Sequence, residues 1–551
     1  MTEQLLPGLL IAIPILGATL PLAVGLLRRN VGWSVAAIVL AIEAVLASWL
    51  AYAVFVGGDR VVHVLGGDRF GRQEQQVGEY DTEGFIVGIE LVADHLSGLI
   101  ILLVALVSLA VLAYSRRAGP RGNAFYSGYL LLTGGLMGVV MTGDLFNLFV
   151  FLEIVGLATY ALVASDRSAA SAVAALKYLI IGTAGASLYL VGVGYIYVRT
   201  GTLNMVDVSR VLAGEPAWVP ESSLYAEPLV AAAFGFIAIG LATKAAIYPL
   251  HTWQPDAYAE SPDAVTIYIS ALVSTAAAYA FARITWVVFT PDFFAASASN
   301  QDMLNVFLAL AALSVLVGSV LAAMQRRVKR MFAYSSVAQF GLIVMAVGIA
   351  VHPASQGTRA VEFAVYGVVI HLVAHAIIKG GLFATAGAFR SGSGARLVGE
   401  YAGLAKQRPF LSGAVAILGF SIVGVPPTVG FIGKWYIGVA AVESGLWALV
   451  FVVFASTLLT LLYVARLLEK LYFDYLPDDA PSHAEASAAI ATDGGEHATA
   501  DGGGTLSYGM VSLVLVATVL SVALGFAGAE LTGALEPLVE AVEAGLPEVG
   551  T

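Results

Sequence analysis

Cysteine is absent from this chain. That excludes disulfides, thiolate metal centres, iron–sulfur ligation by this polypeptide and thiol redox chemistry. Charge is scarce as well, at 12% of residues against about 25% in a soluble domain. Lysine is the rarest charge, with seven residues among the 27 lysines and arginines. What remains is 59% hydrophobic, with a mean hydropathy of +0.86. The chain therefore reads as a polytopic membrane protein, for which its 551 residues give no useful domain count. The first apolar run, Leu5 to Leu27, lacks a preceding basic segment and a small-residue cleavage pattern, so it reads as a retained helix. The net charge is −11 and the acids lie mostly in loops. This balance offers no basic face to a nucleic acid. Acidic, lysine-poor loops rich in Ala, Gly and Val would suit a salt-loving organism, and GC-rich coding gives a similar bias.

A spanning helix needs about 20 apolar residues. Window reading finds about fourteen such segments, near 5–27, 31–56, 87–114, 123–143, 145–165, 172–198, 225–249, 263–289, 303–324, 333–351, 361–389, 410–438, 443–470 and 507–528. The polar stretch 57–84, with a possible hairpin, and the stretch 202–224 lie outside the membrane on this reading. The acidic, Ala/Ser/Gly-rich stretch from Asp474 to Gly504 has the composition of a flexible linker. Arg28-Arg29, Arg116-Arg117-Arg121, Arg326-Arg327-Lys329-Arg330 and Arg390-Arg396-Lys406-Arg408 all follow odd-numbered segments. The positive-inside bias puts those loops in the cytoplasm. An even helix count then leaves both termini outside.

Two segments carry internal breaks. In FIAIGLATKAAIYPLHTWQPDAYAESPD, Lys244 is followed by Pro249, Pro255 and Pro262; in GFSIVGVPPTVGFIGKWYIG, Pro426-Pro427 precede Lys434. Proline removes a donor and clashes within a helix. The breaks lie five segments apart, which suggests five-helix repeats, and paired broken helices in two halves point to a mid-membrane transport site. The expected organisation is residues 1–122 as three N-terminal helices, repeats at 123–289 and 302–470, an acidic loop at 471–506, and a last helix and tail at 507–551.

Several polar residues fall inside the apolar runs. Glu153 sits in GDLFNLFVFLEIVGL, and a charge at the bilayer centre costs roughly 2.5–3.5 kcal/mol on insertion scales. It is read either as a snorkelling or helix-bridging carboxylate, or as a partner that modulates an intramembrane lysine. Lys244 is the preferred partner because it adjoins a break, and Lys177 is second. Lysine is a poor packing residue, and its protonation responds to desolvation and to a nearby carboxylate. His371, His375 and Lys379 recur at i, i+4 and i+8, about 6 Å apart along one helix face. They form either a hydrogen-bonded helix seam or, with water, a proton relay. A zinc site is disfavoured because HLVAH lacks the acid of HExxH. Lys434 is an interfacial anchor or a terminal proton site. His251, Asp256, Glu260 and Asp263, in the connection after Lys244, are a proton-uptake funnel or a loop of satisfied polar groups. Asp144 suits a helix start. No nucleophile–base–acid constellation is present, and no cofactor is implied.

Taken together, TGDLFNLFVFLE (142–153), ALKYLIIG (175–182), RTGTLNMVDV (199–208), ATKAAIYPLHTWQPDAYAESP (242–262), KRMFAYSSVAQFG (329–341), HLVAHAIIKGGLF (371–383) and GVPPTVGFIGKW (424–435) resemble the D-type subunit of the multisubunit Mrp-type cation/proton antiporters. The likeness spans roughly 85–470. Those proteins are related to the antiporter-like proton-pumping subunits of respiratory complex I and membrane-bound hydrogenases. The resemblance implies an all-α fold of fourteen transmembrane helices with two inverted five-helix repeats and broken seventh and twelfth helices. It also implies work as a secondary ion transporter subunit in the cell membrane, beside other membrane subunits, moving protons against a cation, with sodium preferred. By the same resemblance Glu153, Lys177, Lys244, His375, Lys379 and Lys434 match the family's polar axis. One departure is that related subunits carry a lysine on the eighth helix where this chain has Thr275, beside Ser274. A hydroxyl orients water but holds no proton charge, so the relay would run through water to His375 or His371. The alternatives are the same module in a redox-driven dehydrogenase or hydrogenase, and a transport-inactive scaffold subunit.

Overall fold

The computed structural model describes residues 3–26, 30–58, 60–66, 88–120, 122–215, 223–474 and 506–543. Arg28-Arg29, Arg121, most of the 57–84 loop and nearly all of the acidic stretch 471–506 lie outside the described residues. Among the described residues, twelve helices are long and apolar enough to cross a membrane, and Pro228–Lys244 and Pro409–Val423 are shorter apolar helices. Together they account for the fourteen expected segments. In chain order the spans are α1 Glu3–Gly25, α2 Gly32–Phe55, α3 His95–Ala118, α4 Asn123–Met141, α5 Leu145–Val163, α6 Ala169–Thr200, α7 Pro228–Lys244 with its continuation Gln254–Glu260, α8 Asp263–Ala295, α9 Ala298–Met324, α10 Val328–Val351, α11 Ala360–Ser393, α12 Pro409–Val423 with its second half Val429–Glu443, α13 Trp447–Tyr472 and α14 Tyr508–Phe526.

Helices dominate because backbone groups in hydrocarbon must bond within their own segment. α4 packs on α5, α5 on α6 and α6 on α7; in the same order α9 packs on α10, α10 on α11 and α11 on the second half of α12. Five is odd, so the second set starts from the opposite side of the membrane and the repeats are inverted. α8 touches α7, α10 and α11, and its most apolar stretch is wholly buried, as that of α10 nearly is, so these helices form the middle of the bundle. Outside it, β1 Val61–Leu65 pairs antiparallel with β2 Ile89–Ala93, from Val61 opposite Ala93 to Leu65 opposite Ile89. The hairpin expected near 57–84 thus has its strands at the edges of that loop.

Polar residues set the helix starts. The Asp94 carboxylate accepts from the Ser97 amide at 2.9 Å and also pairs with Arg283 of α8, tying the start of α3 to the bundle centre. Asp144 accepts from the Asn147 amide at 2.6 Å, the cap that its place before an apolar run suggests. α8 differs from the single continuous helix expected over 263–289. It runs on to Ala295 and contains two π-helical stretches, Ile269–Val273 and Ile284–Phe289. Hydrogen bonds to i+5 leave no periodic mark in an all-apolar run, so the pattern does not reveal them.

Candidate functional site

The break in α7 opens just after Lys244. Ala246 adopts φ +59°, and the chain passes through Pro249 and a short turn, Leu250–Trp253, before the helix resumes at Gln254. The break leaves backbone groups without helical partners, and side chains take them up. Trp253 Nε1 donates to the Thr243 carbonyl at 2.9 Å, and the Tyr248 amide donates to Ser314 Oγ of α9 at 3.1 Å.

Lys244 Nζ donates to Glu153 Oε1 of α5 at 2.9 Å. The lysine side chain is 7% exposed and the glutamate 21%, so the carboxylate is the half of the pair reachable from the protein surface. Two glycines shape this corner. A Cβ on Gly156 would lie 3.2 Å from the ammonium, and one on Gly182 would lie 2.2 Å from the Tyr160 hydroxyl. Removing one member of a buried ion pair strands the other charge, at about 3–5 kcal/mol.

Lys177, the second candidate for Glu153, goes elsewhere. Its Nζ donates to Asp256 at 2.7 Å, and Arg330 of α10 holds the other oxygen of the same carboxylate at 2.7 Å. Glu260 pairs with Arg327, and Asp263 with Lys329 at 3.2 Å and Arg390 at 2.8 Å. The acids that follow the break are therefore stitched to the basic cluster 326–330 and to the end of α11. His251 lies against the rings of Tyr248 and Tyr334, with its buried Nδ1 unpartnered among the described residues.

Between the break and α11 stands a cluster of neutral polar groups. Gln254 Nε2 donates to the Tyr258 hydroxyl and to Ser274 Oγ, both at 3.1 Å. The Tyr258 and Ser274 oxygens are themselves 3.1 Å apart, and Gln254 Oε1 is buried with no partner among the described residues. Thr275 takes no part: its hydroxyl turns back to the Ala271 carbonyl at 2.8 Å. Of the two hydroxyls at this level, Ser274 joins the Gln254–Tyr258 cluster and Thr275 bonds its own helix.

On α11 the stripe is buried throughout. His371 Nε2 meets Gln339 Oε1 of α10 at 2.9 Å, a partner that the sequence pattern did not reveal; a lone amide in an otherwise apolar run was its only signal. The His375 ring lies 4.4 Å from that of Phe340, and neither of its nitrogens has a partner among the described residues. Lys379 Nζ donates to the Phe332 carbonyl at 2.8 Å. α11 and α12 approach closely at Gly433, where a Cβ would lie 2.8 Å from His371 Nδ1.

The second break ends the first half of α12 at Gly424, whose φ of +92° suits glycine. Lys434, one turn into the second half, reaches back to the Ile422 and Val423 carbonyls at 2.8 and 3.2 Å. An ammonium at a helix C-terminus is favoured by the dipole.

Comparison with known proteins extends these observations. The family described as "NADH:quinone oxidoreductase/Mrp antiporter, TM" matches residues 142–460. The N-type subunit of the NADH-quinone oxidoreductase of Desulforudis audaxviator is 43% identical over 398 residues, covering 71% of this chain and 74% of that protein. The D-type subunit of the Na(+)/H(+) antiporter of Bacillus subtilis is 31% identical over 384 residues, covering 69% and 72%. A chain of the Mrp complex from Dietzia sp. superposes with a TM-score of 0.80 at 27% identity, covering 98% of this chain and all of that one.

Proposed function

The chain belongs to the NADH:quinone oxidoreductase/Mrp antiporter family of membrane subunits, and on that premise we propose that it is a proton-translocating subunit of a multisubunit cation/proton antiporter. Sodium is the preferred cation, the complex resides in the cell membrane, and both termini face outward. The observation that carries this reading is the 2.9 Å pair of Lys244 and Glu153 beside a helix break inside the bundle. A lysine with a carboxylate partner stays protonated; drawing the carboxylate away lets desolvation favour proton release. Glu153, the more exposed member, is the one a neighbouring subunit or an arriving cation would move.

Protons come in beside His251 at the break and occupy Lys244. They cross past Gln254, Tyr258 and Ser274 to His375, His371 and Lys379, and leave by Lys434. Buried polar atoms without protein partners are commonly satisfied by ordered water. The free atoms of Gln254, His371 and His375 mark where water would complete this line. Asp256, Glu260 and Lys177 orient the uptake mouth through their ion pairs rather than carrying protons. Each charge moved across the membrane is worth about 2.3 kcal/mol per 100 mV, so an ion gradient suffices to drive the cycle and no cofactor is required.

The test is proton flux in vesicles holding the whole complex: Lys244→Ala abolishes cation-dependent flux while the complex still assembles. Wild-type flux in that variant would overturn the reading. The likeness to an oxidoreductase subunit favours a second reading, the same module in a redox-driven assembly. Co-purification with an iron–sulfur subunit would select it.

A further inference from the structure

One cavity stands apart from the polar axis. It lies between α3, α11 and α14, with Ile267 of α8 in its lining. Ser512 is the one polar side chain there among the described residues, and its hydroxyl turns back to the Gly509 carbonyl of its own helix at 3.2 Å. A cavity without polar partners holds no ordered water, and left empty it forfeits contacts on every wall. It opens sideways, where a bilayer would be: Leu106 of α3 and Val516 of α14 line it and are 48% and 50% exposed. On α11 it touches Val373, Ala376, Ile377 and Gly380, the face opposite His371, His375 and Lys379.

Size and shape narrow the choice of occupant. The volume is about 460 Å³, some three times that of an apolar cavity that takes one benzene, which leaves room for roughly 18 carbons. Along α3 the lining runs from Leu99 to Ala113, a length of about 21 Å at the helical rise. A space that long for its volume is narrow. A helix about 10 Å across would overfill it, whereas one extended aliphatic chain would not.

Charge marks one end. Leu99, Leu103, Leu106, Ala110 and Ala113 line the cavity at alternating steps of four and three, a single helix face. The next position on that face is Arg117, which is exposed and has no ion pair among the described residues. Its neighbour Arg116 is engaged over the Trp33 ring at 4.5 Å. α14 starts at the same level, since a Cβ on Gly509 would lie 2.2 Å from the Ala113 carbonyl. Tyr508 beside it is 93% exposed, as suits an aromatic at a membrane interface. At the other end the lining is apolar again, from Phe55 of α2 and from Leu531 and Leu535, which follow α14. A cationic mouth on an acyl-sized groove matches an anionic lipid.

We propose that this groove is a binding site for one anionic phospholipid, with an acyl chain lying between α3 and α14 against α11 and the phosphate held at Arg117. The site does not depend on the proton-translocating reading.

The test uses the whole complex in phosphatidylcholine vesicles, doped with phosphatidylglycerol that carries a diazirine on one acyl chain. After illumination, labelled peptides are expected from 99–113 and 512–524, several-fold above those from the exposed face of α13. Ala110→Phe, which fills the groove, should lower that labelling several-fold; should it fail to assemble, Val516→Trp on the facing wall makes the same comparison. A phosphatidylcholine probe should label the groove less than phosphatidylglycerol does, and Arg117→Gln should make the two equal. Labelling spread evenly over all spans and unchanged by the filling variants would overturn the site. So would a groove that stays unlabelled because a helix of another subunit occupies it. Equal labelling by the two probes in the unaltered complex would overturn the role of Arg117.

Discussion

The two broken helices place a lysine beside a break in different ways. In α7, Lys244 meets a carboxylate from another helix. In α12, Lys434 meets, among the described residues, the carbonyls that end its own first half. A carboxylate on α5 is a whole charge on a separate element, and a small shift of that element changes what the lysine feels. The carbonyls are a fixed partial charge of about half a unit, on the other half of the same broken helix. Under the proposed function the first repeat is the half that is switched and the second holds a steady site, although the two share one helix order.

The largest expected effect falls on the switched half: Lys244→Ala brings cation-dependent flux to background, measured by a pH-sensitive dye in vesicles. Lys434→Ala should be milder, lowering flux about tenfold, or ~1.4 kcal/mol of barrier, because its carbonyl partners remain for water to use. Equal losses in the two variants would break the contrast between the repeats. Ser274→Ala should slow flux a few-fold while Thr275→Val leaves it unchanged, since only Ser274 bonds the Gln254–Tyr258 cluster. The smallest effect belongs to Asp256→Asn. Its ion pairs are partly exposed, so thermal unfolding should register a loss of about 1 kcal/mol or less with little change in flux.

Much of this was legible in the sequence. Apolar runs of bilayer length announced the spans, and prolines beside Lys244 and Lys434 announced both breaks, because each effect is local to a few residues. The Lys244–Glu153 partnership was legible too, since few groups in the spans could answer a buried ammonium. What the sequence hid is long-range or neutral. Asp256 drew Lys177 away from Glu153 across 79 positions, a choice set by how α6 and the α7 continuation pack. Gln339 carries no charge, so only its lone amide in an apolar run hinted at a partner for His371. Ser274 and Thr275 are adjacent hydroxyls, and only the helix phase decides which one meets Gln254 and Tyr258. The π-helical stretches of α8 left no pattern at all.

Glu153→Gln separates charge from shape at the pair itself, because the amide oxygen can still accept from Lys244 while the negative charge is gone. In vesicles bearing the assembled complex, cation-dependent proton flux in this variant should fall to background. Flux at the wild-type rate would mean that the carboxylate charge does not govern Lys244, and the switch at the first break would have to be abandoned.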